Sequence, residues 1–434
     1  MSEWRRVTIG DVIEGLYDGP HATPKPSLSG PIFLGIKNIT EDGKFDLSGI
    51  RHISNEDFPR WTKRILPSEG DIVFTYEATL NRYAIIPKNM QCCLGRRMAL
   101  LRIDSNKVNR EFLFYYFFSE EWRKVIDQNI IVGATVNRIP LSEFESFPLR
   151  LPDIGIQEKI ASVLSAIDQK IDINNQINQE LEAMAKLIYD YWFVQFDFPI
   201  SKALAAQLGN PALEGKPYKT SGGPMTYNPQ LKREIPEGWG DGTFDTIGTI
   251  IGGSTPSKKE VDNFCKGNGM PWITPNDLSH NTGNKFITRG EYDVTEKGMK
   301  SASLKVMPTG TVLLTSRAPI GYVAIAREDV TTNQGFKSIV PDKDCSTEYV
   351  YFTVKSYISV MIQYASGSTF KEISGSTLKM IKIAIPPTTL VEQFTKTVQS
   401  TFEKQNNLEL QSQKLTELRD WLLPMLMNGQ VTVG

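Results

Sequence analysis

The clearest hydrophobic pattern in the chain is helical. Ile160, Leu164, Ile167, Ile171, Leu181, Ile188 and Trp192 fall on the a and d positions of a heptad pattern, which Asn174 and Asn178 interrupt. Ile177 and Met184 offer a neighbouring stripe that could carry the seam instead. A second stretch repeats the spacing with Phe394, Val398, Leu408, Leu415 and Leu422, and with Thr401, Gln405, Ser412 and Arg419 as polar members. No Pro or Gly interrupts 157–196 or 391–423, and Pro424 is expected to end the second helix. A helix of about 40 residues is about 60 Å long, which exceeds the width of a small domain. The economical expectation is therefore an antiparallel pair of helices, each covering the other's stripe, with globular modules at opposite ends. The alternative is two separate amphipathic helices, each against its own domain.

Ahead of each helical stretch the pattern shortens to strand-like runs: 72–75, 84–86 and 98–103 in the first half, 312–315, 322–326 and 338–340 in the second. Gly, Pro, Asn and Asp punctuate them, and short helical patterns occupy 109–118 and 347–363. The two halves share landmarks in the same order. Trp4 recurs as Trp239, the segment 33–39 as 272–278, 70–75 as 310–315, Gly95-Arg96-Arg97 as Gly335-Phe336-Lys337, 133–139 as 367–373, and Gln157 as Gln393. The offsets stay between 234 and 240, so the chain reads as a duplication. The expected fold class is α/β (α+β): two duplicated mixed α/β modules with two long antiparallel helices as a coiled-coil spacer. The expected divisions are a first module over 1–153, a first helix over 154–197, a Pro/Gly-rich crossover over 198–238, a second module over 239–387, and a second helix with tail over 388–434.

Composition narrows the function by exclusion. With 48 Lys+Arg against 49 Asp+Glu the formal net charge is −1, so phosphate contacts must come from local patches. The four cysteines and three histidines are scattered, which argues against a structural zinc site or a disulfide scaffold and fits a reducing cytoplasm. No signal-peptide pattern follows Met1, and no run of 18 apolar residues is present. Phosphate-loop, nucleophile-elbow and His-Glu-x-x-His motifs are missing, as is the Asn/Asp-Pro-Pro-aromatic strip of amino-methyltransferases. The one nuclease-like Glu-x-Lys, Glu214-Gly215-Lys216, lies in the crossover.

Several segments resemble the specificity subunits of type I restriction–modification enzymes. They include 75–82 followed by Leu94-Gly95-Arg96-Arg97, Gly252-Gly253-Ser254-Thr255-Pro256, Pro271-Trp272-Ile273 with Asn276-Asp277, and Arg317-Ala318-Pro319-Ile320-Gly321 with Asn333-Gln334-Gly335. The repeated Gly-Ala/Ser-Thr box and the helix end 188–197 complete the set, and the resemblance spans nearly the whole chain. The halves differ at Glu77 against Arg317, and Gln157-Glu158 inverts the order of Glu392-Gln393. The resemblance implies that each module is a target recognition domain reading one half of a bipartite, asymmetric DNA sequence, with the helices setting the gap. It implies two methyltransferase (modification) subunits, up to two motor–nuclease (restriction) subunits, and no membrane. No cofactor would be bound here; S-adenosylmethionine, ATP and Mg2+ would belong to the partners.

Base readout needs side-chain donors and acceptors on loops: Arg to guanine, Asn or Gln to adenine. On that chemistry the candidates in the first module are Lys37, Asn38, Arg82, Arg96, Arg97, Thr135, Asn137 and Arg138. In the second they are Ser254, Thr255, Lys258, Lys259, Asn276, Arg317, Asn333, Gln334, Lys337, Ser368, Thr369 and Lys371. Each cation could equally be a solvated charge, Thr135 and Thr369 could be caps, and Ser254-Thr255-Pro256 could start a helix. A coiled-coil adaptor with two protein-binding modules is the competing class. With no catalytic constellation in the sequence, the purified chain by itself is expected to show no methyl transfer and no DNA cleavage. Turnover by the single chain in a radiolabelled methylation or nicking assay would refute this.

Overall fold

The computed structural model describes residues 4–133, 135–367 and 371–433. They form two compact units, residues 1–171 with 414–434, and residues 172–413.

In the first unit an antiparallel sheet orders Ile13–Asp18, Met98–Ile103, Ile72–Glu77 and Thr79–Ile85. Successive side chains on a strand face opposite ways, and here both faces are apolar. Ile72, Phe74, Ala99 and Leu101 join one core, packed by the aromatic side chains of helices Arg110–Tyr116 and Glu120–Asn129. Val73, Ala84, Met98 and Leu100 join a second core on the other face. Beside it, Ser27–Leu34 pairs in parallel with Cys92–Leu94 and antiparallel with Arg51–His52. The chain closes where Arg5–Thr8 pairs with Pro148–Leu151.

The second unit repeats this plan. Its five-stranded sheet orders Thr249–Gly252, Lys337–Val340, Val312–Leu314, Val323–Ala326 and Phe286–Ile287. Val312, Leu314, Ile325 and Ile339 face one core, while Leu313, Ala324 and Ala326 face another. The parallel pair recurs as Met270–Ile273 with Thr331–Thr332, and the closing pair as Gly240–Thr243 with Pro-flanked Lys382–Ile385. In the structure Gly95-Arg96-Arg97 does not fall on Gly335-Phe336-Lys337. Thr75 pairs with Met98 in the first unit, and Thr315 bridges Phe336 in the second. The segment 95–98 therefore corresponds to 333–336, and the counterparts of Arg96 and Arg97 are Gln334 and Gly335, not Phe336 and Lys337. A shared glycine drew the alignment two residues out of register.

The segment 198–238 folds onto the second unit. It holds helix Lys202–Gln207 and a hairpin of Met225–Asn228 with Arg233–Pro236. Phe198 is buried between Tyr218 and Trp239, with ring centroids 4.6 and 5.8 Å away.

The long helices run over Ile154–Tyr189, continued by a wide turn over Asp190–Val194, and over Thr388–Met427. The second passes through Pro424, which was expected to end it, and stops at Met427. Proline cannot donate to the carbonyl four residues back, but Asp420 and Pro424 both lie on the exposed face, where water reaches that carbonyl. In the first unit Ile160, Leu164, Ile167 and Ile171 are buried, and Leu422 packs on the same core as Leu426 and Met427. Arg419 reaches across to Asp168 at 2.9 Å.

In the second unit the seam runs through the asparagines rather than the neighbouring stripe: Asn174 and Asn178 are buried, while Met184 is 60% exposed. Asn174 Nδ2 donates to Gln411 Oε1 at 2.9 Å and to Ser412 Oγ at 3.2 Å, and Gln405 Nε2 donates to the Asn178 carbonyl at 3.0 Å. Phe394 and Val398 are buried and Ile188 packs beside them, but Leu181 and Leu408 are only half-buried, as is Leu415 in the first unit. Charged groups hold the next layer. Lys285 Nζ meets Glu182 at 2.7 Å and Gln405 at 2.6 Å, and Glu409 accepts the Lys285 and Phe286 backbone N–H groups at 2.7 and 3.1 Å and Arg327 at 2.5 Å. Burial holds the Lys285 ammonium down to about 8, against the opposing pull of Glu182. Removing one partner of such a cluster strands buried charge and costs about 3–5 kcal/mol. Glu409→Ala is thus expected to lower the unfolding free energy of the second unit by that amount in chemical denaturation.

Candidate nucleic-acid interface

In the first unit the strand Ser27–Leu34 ends in a helical turn over Ile36–Asn38. Asn38 organises it: its Oδ1 accepts the Gly35 N–H at 2.8 Å and its Nδ2 donates to the Asp46 carbonyl at 2.9 Å. Both ends of that amide are used inside the loop, and the neighbouring Lys37 is the exposed one. The turn 94–97 lies opposite, tied by Gly95 N–H to the Leu34 carbonyl at 2.7 Å. A Cβ at Gly95 would sit 2.3 Å from that carbonyl, so only glycine allows the approach. Between the turns is a depression of about 510 Å³ lined by Lys37, Asn38, Arg51, Arg96 and Arg97, with Asp46 on its rim. Arg96 is exposed, whereas Arg97 (φ 70°) lies 3.0 Å from Glu77. Arg51 was missed in the sequence; it stands on a two-residue strand with no motif around it.

The other first-unit candidates sit elsewhere. Arg82 is spent on the Ile39 carbonyl at 3.2 Å and on Glu41 at 2.7 Å. Thr135, Asn137 and Arg138 are exposed on a loop whose backbone pairs Ile131 with Arg138. That loop touches the tip of the hairpin, where Ala78 N–H donates to the Asn137 carbonyl at 3.1 Å and Arg138 bridges Glu77.

The second unit builds the same place with other side chains. Thr274 repeats the turn, its N–H donating to Asp277 Oδ2 at 2.7 Å, and Asn276 is exposed where Lys37 stands in the first unit. A depression of about 330 Å³ is lined by Arg317, Asn333, Gln334, Gly335 and Glu372. Asn333 Oδ1 accepts the Gly335 N–H at 2.8 Å, and the Gln334 amide bonds Thr255 Oγ1. Arg317 faces Glu372 at 3.2 Å, and Lys337 lies 4.0 Å from the same carboxylate. Burial lowers the Lys337 ammonium below the usual lysine range, with Glu372 opposing. The acid and the base thus exchange places between the repeats: the backbone bridge joins Glu77 to Arg138 in one and Arg317 to Glu372 in the other.

Ser254 uses its backbone, accepting the Trp272 indole N–H at 3.1 Å, and Lys258, Lys259 and Lys371 are exposed outside the depression. Ser368 and Thr369 lie outside the described residues. Among the described residues no three His, Cys, Asp or Glu side chains cluster as metal ligands, and no helix is long and apolar enough to cross a membrane.

Comparison with known proteins follows the duplication. Residues 1–183 and 236–419 each match the type I restriction modification DNA specificity domain. The chain is 28% identical to the type I restriction enzyme HindI specificity subunit of Haemophilus influenzae, over 99% of this chain and all of that one. It is 47% identical to the MjaIX specificity subunit of Methanocaldococcus jannaschii over 155 residues, 35% of each chain. The crystal structure of a type I restriction–modification S subunit from M. genitalium shares the fold at 16% identity, with a TM-score of 0.54 over 98% of this chain and 96% of that one. Because Arg96 has no partner among the described residues, Arg96→Ala is expected to shift stability by less than about 0.5 kcal/mol in thermal melting; a larger loss would mean that Arg96 holds the fold.

Proposed function

Since the chain belongs to the family of type I restriction–modification specificity subunits, we propose that its two repeats read the two halves of a bipartite, asymmetric DNA target for partner enzymes. What supports this reading is that corresponding turns border a depression in both repeats, at Arg96 and Arg97 in one and at Gln334 and Gly335 in the other, each extended by different side chains: Lys37 and Arg51 in the first, Asn333 and Arg317 in the second. A common frame with exchanged hydrogen-bonding groups is what two different half-sites demand. Arginine pairs with guanine O6 and N7 in the major groove, so a guanine in the first half-site is the base that Arg96 would read. In the second repeat the Asn333 oxygen is tied to Gly335, which leaves its NH2 to donate to a base acceptor.

The long helices would set the gap between half-sites, and the chain would recruit two modification subunits and up to two motor–nuclease subunits. Methyl transfer to adenine from S-adenosylmethionine, and ATP- and Mg2+-dependent restriction, would belong to those partners. Such a system works on cytoplasmic DNA. The near-zero net charge fits, because partners would supply part of the phosphate clamp.

The test is methylation-site mapping in cells that express the chain with its modification subunit. Losing a bidentate base contact costs about 1–3 kcal/mol. Arg96→Ala is therefore expected to relax one position in one half-site and leave the other half-site intact. Uniform weakening at every site would make Arg96 a phosphate contact. Changes in both half-sites would reject independent reading, and binding that neither selects a sequence nor weakens with salt would favour an adaptor.

A further inference from the structure

We infer that Thr255 is a positioning residue for base readout in the second half-site: its hydroxyl holds the oxygen of the Gln334 amide, so that only the NH2 faces DNA and Gln334 selects guanine over adenine. The inference rests on the DNA reading proposed above and deepens it.

A glutamine with both ends of its amide free pairs with adenine, accepting from N6 and donating to N7. Which base it selects therefore depends on what already holds each end. Here the oxygen is taken, because the Thr255 hydroxyl donates to Gln334 Oε1. Thr255 is itself fixed by its neighbours. The Ser254 N–H donates to the Thr332 carbonyl at 3.0 Å, and the Ser254 carbonyl accepts the Trp272 indole N–H at 3.1 Å. A Cβ at Gly253 would lie 2.1 Å from the Asn333 carbonyl oxygen, so only glycine lets this segment lie against the turn. Pro256 is buried and keeps the residue before it extended, and the β-branched Thr255 side chain has few rotamers.

The rest of the depression follows the same rule. Asn333 Oδ1 accepts the Gly335 N–H at 2.8 Å. The Glu372 carboxylate faces Arg317 at 3.2 Å and Lys337 at 4.0 Å. Each described side-chain acceptor that lines the depression is thus met from within the protein. Among the described residues nothing bonds Asn333 Nδ2 or Gln334 Nε2, and Gln334 is exposed. A surface that offers only donors fits a base edge made of acceptors. Guanine, with O6 and N7, is the base whose major-groove edge offers two, whereas the adenine N6 amino group would meet the Gln334 NH2 donor to donor. In the first repeat the counterpart of Gln334 is Arg96, which carries donors only, whichever way it turns, and needs no such hold.

The experiment maps methylation sites in cells that express the full chain with its modification subunit. Gln334→Ala is expected to relax one position in one half-site, where the wild type takes a G·C pair. Thr255→Val has the same shape without the donor and frees the amide to turn. Its preference for G·C over A·T at that position is expected to fall about tenfold or more. Thr255→Ser keeps the hydroxyl and should keep the wild-type preference. In parallel, NMR of the 15N-glutamine-labelled full chain follows the Gln334 side-chain amide, identified by its loss in Gln334→Ala. Thr255→Val is expected to move that signal and Thr255→Ser to leave it near its wild-type place. An A·T pair at the position in the wild type overturns the inference, as does a Thr255→Val variant with undiminished preference or a Gln334→Ala variant that relaxes nothing. In each of these cases methylation of a bipartite site by the wild type leaves the proposed function standing. If the wild type methylates no bipartite site, that function fails. The amide signal then decides the hold alone: a shift confined to Thr255→Val upholds it, and an unmoved signal overturns it.

Discussion

A long helix with an apolar stripe cannot bury that stripe against a small module, and the rest of this structure follows from that constraint. In each unit the answer is a segment of the other long helix, running antiparallel. The seam is not uniformly greasy. In the first unit Ile160 and Leu164 share a core with Leu426 and Met427, and Ile167 and Ile171 continue the buried stripe. In the second it becomes Asn174, Asn178, Gln405 and Glu409, all buried. The same residues that cover the stripe also anchor the module: Glu409 and Gln405 bind Lys285 and Arg327, which belong to the sheet region rather than to the helices.

Sheets with two apolar faces do the corresponding work inside each unit. Because Ile72 and Val73 enter different cores, and Val312 and Leu313 likewise, neither strand can slip by one residue without exchanging its partners. That rigidity holds the turns around Gly95 and Asn333 at one place in both repeats. Side chains on the turns are then free to differ, and they do: Arg96 against Gln334, Lys37 against Asn276, and Glu77 against Arg317 at the hairpin tip.

Much of this was legible in the sequence, for identifiable reasons. Duplication shows as order and spacing, and the helices as an unbroken period. The interface was legible only as a pool of residue types. Lys37, Arg96, Asn333 and Gln334 line the depressions as their loop positions suggested. Asn38 and Arg82 turned inward because a backbone N–H or carbonyl nearby needed them, and no local pattern announces that. Arg51 reaches its depression through a long-range pairing with the strand Ser27–Leu34. The alignment of Arg97 with Lys337 failed because glycines at 95 and 335 answer different needs, a close backbone approach in one and a side-chain-capped turn in the other. Nothing local to Pro424 shows that it stands on a solvent-facing turn, where the helix tolerates the missing N–H.

The buried amides have a consequence for how such a chain can change length. Asn174 and Asn178 each leave a side-chain oxygen without a partner, so the polar stretch of the seam is kept at some cost. In return, only one sliding position of the helices brings Asn174 to Ser412 and Gln405 to the Asn178 backbone. A displacement by one heptad would break both of these pairings. The pair therefore behaves like a keyed joint, and insertions or deletions in one helix should be tolerated over generations only when matched by a compensating change in the other.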